Sequence, residues 1–559
     1  MYECPNCGGN LKFDIARQQL YCEYCNTTAD PYAVYKEKDA EEDIIPTSDN
    51  SAKKEYKATV FTCPQCGGQL VSEDTTAATF CSFCGSSAIL DSRISRERRP
   101  GLIIPFMRTK EDCRKAYGKM MRRALFAPKE LKKEEILERF RGIYMPYWIY
   151  SFEKRGEVTF SGEKIHREGD YVITDHYRLE CGIEEEYRGL AYDASASFSD
   201  HLSNAIAPFD LKQSKAFTPS FLSGFYADTS DVESSVYRFE AEDMVIRDGC
   251  KCLRGNPVCR KYHVGRGENQ NTLRNAVRPF QSETELAMLP VWFLAYRSGE
   301  RVGYAVVNGQ TGRATADLPV DLKKFLSGSM LLAVPLFVLL NLFLTITPVK
   351  ILLIAALLAL VCILISNVQI THILARESGE DDKGFSSVHS TAQAGLFGGR
   401  RVERPQRQKN NGIFRKIGLL LLLFYGTALL PGFLLQMMKG RRGGSGIASI
   451  MVILLALLIV GFSCIRQFPG RERSDMRQKP AYGGHFREKC PVLVKPFAGI
   501  VAAAMILVLN PVSDWIYYLG AFGCMCMVLW ALMDIIKQHN MLTTRKLPQF
   551  NRRGGDEIA

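Results

Sequence analysis

The sequence predicts a multidomain chain: two small zinc ribbons, a soluble α+β domain, and an α-helical polytopic membrane domain of about six helices. Three observations carry that prediction. A four-cysteine pattern occurs twice near the start. Residues 101–324 mix strand-like alternation with helix-like runs. Beyond residue 324, long apolar runs alternate with basic loops. A chain of 559 residues also exceeds one ordinary domain.

The ribbons come first. Cys4-Pro5-Asn6-Cys7-Gly8-Gly9 is answered by Cys22-Glu23-Tyr24-Cys25, and Cys63-Pro64-Gln65-Cys66-Gly67-Gly68 by Cys81-Ser82-Phe83-Cys84. Fourteen residues separate the two CxxC pairs in each copy. Paired CxxC knuckles at this spacing form a complete tetrahedral Zn²⁺ ligand set. Four sulfurs leave no open position for water, so two structural zinc ions are expected, held by Cys4, Cys7, Cys22, Cys25 and by Cys63, Cys66, Cys81, Cys84. About thirty residues bury too little apolar surface to fold unaided. Structural zinc, at about 10–16 kcal/mol of apparent binding free energy, decides their folding. The glycines after each second cysteine let the chain bend and offer N–H groups to sulfur. Phe13, Tyr21, Tyr24, Phe61, Phe80 and Phe83 read as filling for two small cores.

The expected boundaries are 1–30 for ribbon one, 31–57 for a polar, mobile linker, and 58–92 for ribbon two. Residues 101–324 form the cytosolic α+β domain. Within it, 102–106 reads as a strand, and 110–126 and 128–140 as helices. A β-rich portion starts at Tyr144 and continues through 156–160 and 170–180. Ser298-Gly299 joins two apolar runs as a hairpin, and Asn308-Gly309 starts a further turn.

The membrane domain is expected over 325–538, with a basic tail over 539–559. Six runs are long enough for a hydrocarbon core of about 30 Å: 326–346, 349–370, 417–438, 447–465, 496–509 with its flanks, and 515–536. Pro348 separates the first two runs, and Asn510-Pro511 the last two. Basic residues crowd the loops between runs two and three and between four and five, and also flank the set. By the positive-inside rule both termini are cytoplasmic; Lys439, Arg441 and Arg442 are the discordant cluster. Thiolate ligands want a reducing compartment, which agrees. Met1-Tyr2-Glu3-Cys4 has no secretory pattern, and position 2 is not the glycine that myristoylation needs.

Composition excludes more than it assigns. The formal charge is +12, but Lys and Arg are scarce on the ribbons, where nucleic-acid binding would want them. Protein contact is the better reading of the ribbons. No phosphate-binding glycine loop, nucleophile elbow or HExxH is present. Glu184, Glu185, Glu186 and Asp193 read as a solvated acidic face; Asp170, Asp175 and His176 are neighbours in sequence without a pattern. Cys250, Cys252, Cys259 and His263 could bind a third metal or be ordinary thiols in a loop. The apolar runs offer few ionisable groups for transport beyond Asp534.

Together, the motifs resemble a family of bacterial membrane proteins with TFIIB-type zinc ribbons. The likeness rests on CPNCGG and CPQCGG with their partner pairs. It also rests on Ile103-Ile104-Pro105-Phe106, Leu125-Phe126-Ala127-Pro128-Lys129, Tyr144-Met145-Pro146-Tyr147-Trp148, Leu289-Pro290-Val291-Trp292 and Asn308-Gly309-Gln310-Thr311-Gly312. Members are sometimes labelled helicase-like for the ribbon; this chain has no helicase motor. Some relatives look like partners of phage-shock and SPFH-type membrane-stress assemblies. The resemblance implies no catalytic residues. The expected function is a membrane-anchored adaptor or scaffold, its ribbons recruiting a cytosolic protein to the lipid bilayer. The competing readings are a transporter or channel component with a ribbon regulatory head, and a membrane-tethered nucleic-acid binder.

Overall fold

The computed structural model describes residues 2–42, 55–72, 81–84, 91–264, 270–298, 301–343, 347–377, 381–388 and 494–546. The chain divides into two compact units. One, the head, holds Met1–Pro319, Ala375–Gln393 and Thr543–Ala559; the other holds Val320–Leu374 and Ala394–Leu542.

The head opens with a three-stranded sheet of β1 (Leu11–Asp14), β2 (Gln19–Cys22) and β3 (Thr28–Ala29). The stretch expected as a mobile linker instead begins with helix α1 (Pro31–Glu42). Tyr32 anchors it, donating its hydroxyl to the Ala216 carbonyl at 3.0 Å and setting its ring edge-on to Phe221. Strands β4 (Glu55–Thr62), β5 (Gln69–Ser72), β6 (Asp91–Arg98) and β7 (Leu102–Ile103) follow. Helix α2 (Lys110–Arg123) starts at a capping box between Thr109 and Asp112. The second helix expected there reduces to a single 3₁₀ turn and α3 (Glu134–Leu137).

The β-rich portion is dominated by one long hairpin. β8 (Arg141–Glu168) pairs antiparallel with β9 (Tyr171–Asp193) from Tyr147 to Glu168, with Gly169 turning at φ +60°. Then come α4 (Asp200–Ile206), β10 (Lys215–Ala216), β11 (Tyr226–Asp228), α5 (Ser235–Gly255), α6 (Pro257–Lys261) and α7 (Gln270–Ala276). β12 (Phe280–Ser298) and β13 (Arg301–Asn308) form the hairpin expected at Ser298-Gly299, in register Ser298 to Arg301. β14 (Ala314–Ala316) closes this run.

Strands β4–β14 and the C-terminal strand Arg545–Lys546 make one twelve-stranded sheet with the path β10-β7-β12-β8-β11-β5-β4-β6, β9 pairing off β8 and β13 off β12. The motifs that carry the family resemblance meet near its middle. Phe106 stacks on Phe225 at 4.4 Å between ring centres and lies 4.9 Å from Tyr144 and 5.1 Å from Trp292. The Gly309 carbonyl accepts the amides of Met107 and Arg108, and its own amide bonds to the Pro290 carbonyl. A side chain at Gly309 would strike the Phe106 ring at 2.6 Å. Asn308, fully buried, accepts the Gln310 and Thr311 amides and donates to the Ile206 carbonyl. Those motifs therefore build the core.

The second unit contains α8 (Leu322–Phe343), most of α9 (Pro348–Glu377), α10 (Val494–Leu509) and α11 (Asp514–Leu542). Among the described residues three helices are long and apolar enough to cross a membrane: Leu322–Leu339, Pro348–Glu377 and Asp514–Leu542. The fifth expected run forms a helix of 16 residues, below the usual spanning length. Runs three and four lie outside the described residues, so three spans, not six, are seen. Small residues bring α9, α10 and α11 together: Ala355, Ala359 and Ala531 are buried in one cluster. A Cβ at Gly499 would sit 3.3 Å from the Cys524 sulfur, as expected of small-residue helix packing.

The chain returns to the head after α9 and after α11. Arg301 on β13 pairs with Glu377 at 3.2 Å and donates to the Thr544 carbonyl. Arg376 pairs with Asp317 at 3.6 Å, and β15 (Arg545–Lys546) adds to the edge of β13.

Candidate metal centres

Each cysteine cluster is built from two knuckles. In the first, the Cys4 amide bonds to the Gly9 carbonyl at 2.7 Å and the Gly8 amide to the Cys4 carbonyl at 2.8 Å. The Cys22 knuckle repeats this with Thr27 and Asn26, each bond 2.9 Å. The turn needs a left-handed residue, supplied by Gly8 at φ +70° and Asn26 at φ +60°. The second cluster repeats the first knuckle: the Cys63 amide bonds to the Gly68 carbonyl, the Gly67 amide to the Cys63 carbonyl, and Gly67 has φ +72°.

The eight cysteines expected as ligands come together in two sets of four. Within each cluster the four sulfurs lie within 4.8 Å of one another. Cys4 and Cys25 approach to 3.5 Å, as do Cys7 and Cys22. Cys63 and Cys84 stand 3.8 Å apart, and Cys66 and Cys81 3.7 Å. A tetrahedron with metal–sulfur bonds of about 2.3 Å has edges of about 3.8 Å. Both clusters thus have the size of a tetrathiolate cage and could hold metal ions such as zinc.

The electrostatics point the same way. Hydrogen bonds from Cys66, Cys81 and Cys84 pull the Cys63 thiol down, while the Cys63 sulfur pushes Cys66 and Cys81 up. Four sulfurs in contact cannot all ionise together unless a cation shares them. In the first cluster the Thr27 hydroxyl, then its amide, lower Cys25 to about 6. At Cys7 the Gly9 amide lowers the thiol, but the sulfurs of Cys25 and Cys22 outweigh it and raise the thiol to about 12. The Gly68 amide donates to the Cys66 sulfur at 3.4 Å, the N–H contact to sulfur expected of these glycines.

One repeated pair escaped the sequence reading. The aromatic residue before the last cysteine lies against the second glycine of the opposite knuckle. A Cβ on Gly9 would come within 2.6 Å of the Tyr24 ring, and one on Gly68 within 2.5 Å of the Phe83 ring. The signal was present as GG after one pair and an aromatic residue inside the other. The rings differ in fate, however. Phe83 is 1% exposed, whereas Tyr24, expected as core filling, is 79% exposed.

The surroundings differ likewise. Ribbon two, expected as a module over 58–92, has no sheet of its own among the described residues. Its β4 and β5 belong to the large sheet through β5–β11 pairing, and β4 runs beside all eight residues of β6. Tyr304 donates to the Phe83 carbonyl at 2.9 Å, and Phe293 meets the Phe83 ring edge-on. Cys63, Cys66, Cys81 and Cys84 are buried in one cluster with Ile143, Tyr147, Phe293 and Val306. Ribbon one packs its inner face through Phe13 on Phe221, while Cys7 faces outward.

The other sequence candidates do not assemble. Cys250 and Cys259 are buried in an apolar cluster of α5, α6 and the β8–β9 hairpin, and burial raises both thiols. Cys252 is exposed, and these three with His263 form no metal-sized group among the described residues. Asp175 faces His166 at 3.4 Å and His176 faces Glu163 at 3.7 Å, as cross-strand pairs on the exposed hairpin. Asp193, read as part of a solvated face, is buried.

The chain is 26% identical over 324 residues to "Uncharacterized protein YdjG" of Bacillus subtilis (strain 168), which spans 57% of this chain and 90% of that one. That name states no activity. No family model matches the chain. No solved structure matches it.

Proposed function

We propose that this chain is a membrane-anchored adaptor with two structural zinc ions, whose first ribbon recruits a cytosolic protein. The observation that supports this most is the outward face of ribbon one. Tyr24 projects from a knuckle fixed by metal ligands, flanked by Glu23 and the exposed Cys7. An exposed aromatic beside polar neighbours is the composition of an interaction hot spot. Lys12 on that face is paired with Glu23 at 3.1 Å, which leaves little positive charge for a phosphate backbone. The membrane reading extends to six spans with both termini in the cytoplasm. Kinship with TFIIB-type ribbon proteins, and a place in envelope stress, belong to the same proposal.

The test is crosslinking in native membranes, comparing wild type with Tyr24→Ala and with the double variant Cys4→Ser, Cys7→Ser. A cytosolic protein held by wild type and lost from both variants, with membrane content unchanged, is expected. Identical crosslinks from all three proteins would rule the adaptor reading out.

A further inference from the structure

We propose that the outer edge of β9 is a homodimer interface, pairing antiparallel with β9 of a second copy in a register centred on Cys181. The β8–β9 hairpin has two outer edges, and the fold treats them differently. On β8 the Glu163 amide, which points away from β9, bonds to the Tyr262 carbonyl just after α6 at 2.7 Å. A Cβ on Gly162 would lie 2.9 Å from that same carbonyl oxygen, so this edge is closed. On β9 the register fixes which groups face out. Tyr171 opposes Glu168 across a two-residue turn, so the odd-numbered residues from Tyr171 to Ile183 exchange hydrogen bonds with β8. The amides and carbonyls of the even-numbered residues point outward. Among the described residues β9 pairs with β8 alone, and no other backbone group bonds to its outer side from Val172 to Glu186.

Long edges usually carry a guard against another chain: a proline, a lysine, a bulge or a covering loop. From Tyr171 to Tyr187 β9 has no proline and no lysine, and its register with β8 does not shift. One face of the hairpin is backed by α5, α6 and α7 around Phe160 and Ile183. A regular, backed edge is a template for strand addition.

The occupant follows from charge. Side chains of the even-numbered residues lie on the opposite face of the hairpin, and all from Val172 to Arg188 are exposed. With the centre at Cys181, a second copy sets Arg178 opposite Glu184 and His176 opposite Glu186, each twice by symmetry. No like charges meet. A centre at residue 180 puts Glu180 opposite itself, and one at 182 puts Glu180 opposite Glu184. A centre at 179 sets Asp175 against Ile183, which is buried on the helix-backed face. With the centre at 181, Leu179 meets Ile183 instead. Opposite charges and apolar pairs across strands stabilise, and like charges directly opposite destabilise. Within one copy Arg178 reaches Glu180 at 3.9 Å, a loose exposed pair that Glu184 of a second copy can replace.

The test uses the full chain in detergent, its mass read by sedimentation. Wild type should be a dimer. Arg178→Glu and Glu184→Arg should each weaken it by about tenfold or more, and the double reversal should restore it. Both side chains are exposed, so neither change disturbs the fold. Cys181, half-buried and opposite itself at the two-fold axis, reads the register. In a chain whose exposed Cys252 and Cys526 are replaced by serine, oxidation of native membranes with copper phenanthroline should give a covalent dimer that Cys181→Ser loses. A monomeric wild type would overturn the proposal. So would a dimer that both single reversals leave intact or the double reversal fails to restore, or a covalent dimer unchanged by Cys181→Ser.

Discussion

Ribbon one carries its metal ligands at the rim of the head, and ribbon two carries them in the interior. In the first, Cys7 faces outward, Cys25 is half-buried, and a separate three-stranded sheet supports the knuckles. In the second, all four cysteines are buried and their strands belong to the main sheet. Two openings that differ only at Asn6 and Gln65 therefore serve two settings. At the rim, a bound metal would shape a small surface module. In the interior it would tie the β4–β5 turn to the segment that carries Cys81 and Cys84. A metal motif specifies its own knuckles and leaves its surroundings to the rest of the chain.

Removing the metal should separate the two most sharply. Apparent zinc binding of about 10–16 kcal/mol matches or exceeds a typical domain stability of about 5–15 kcal/mol. Cys63→Ser with Cys66→Ser should therefore unfold the sheet around Phe293 and Tyr304. Cys4→Ser with Cys7→Ser should cost ribbon one and leave that sheet standing. Limited proteolysis of the membrane-bound protein reads both. Equal fragmentation of the two variants would erase the distinction.

The paired aromatics test the same contrast at one ring. Phe83→Ala should destabilise the head by about 3–5 kcal/mol, the usual cost of emptying a buried aromatic site. Tyr24→Ala should change stability by less than about 0.5 kcal/mol, as for an exposed side chain. Guanidinium unfolding with excess zinc gives both values. Similar losses would mean that Tyr24 is covered by something in the folded protein.

How much of this was legible turns on sequence distance. The cages were, because four cysteines at fixed spacing define them locally. So was the β12–β13 hairpin, where Ser298-Gly299 parts two apolar runs. Helix α1 was not, because Tyr32 and Val34 are its apolar anchors and their partner Phe221 is far along the chain. The stretch 128–140 looked helical by pattern. Its run of like charges at Lys132-Lys133 and Glu134-Glu135, with Leu131 as the buried anchor, supports only short turns. Ribbon two's burial was invisible for the same reason as α1. The residues that cover it, Ile143, Phe293 and Tyr304, lie 59 to 241 positions from its cysteines. Asp193 was misjudged because Asp382, one of the residues around it, comes from beyond the second apolar helix.

A pH experiment sharpens the comparison where ribbon two joins the sheet. Asp228 pairs with Leu70 in the β11–β5 register. Burial pushes its carboxyl up from the ordinary 3.8 to about 7, against the lowering effect of Ser195 and Ser197. Between those two values the folded chain holds a proton that the unfolded chain has lost. This residue's contribution to stability therefore falls as pH rises through the window and levels off above it. Asp228→Asn removes the proton exchange. The stability difference, variant minus wild type, should grow from pH 4 to pH 7 by at most about 4 kcal/mol. Denaturant midpoints of both proteins across that range give the difference, and a flat result would show that Asp228 titrates normally.

The smallest expected effect lies in the glycines. Gly68→Ala would drive a methyl group into the Phe83 ring, which is held between Phe293 and the core and cannot withdraw. Overpacking of that kind costs about 1–3 kcal/mol. Gly9→Ala makes a nearly identical clash with Tyr24, but that ring is in solvent and can swing aside. Its cost should stay below about 1 kcal/mol. Two glycines at the same place in matching CPxCGG turns then differ because one aromatic is free and the other is confined. Equal destabilisation by the two alanines would mean that Tyr24 is as fixed as Phe83, and that the rim of ribbon one is not the open surface on which partner recruitment depends.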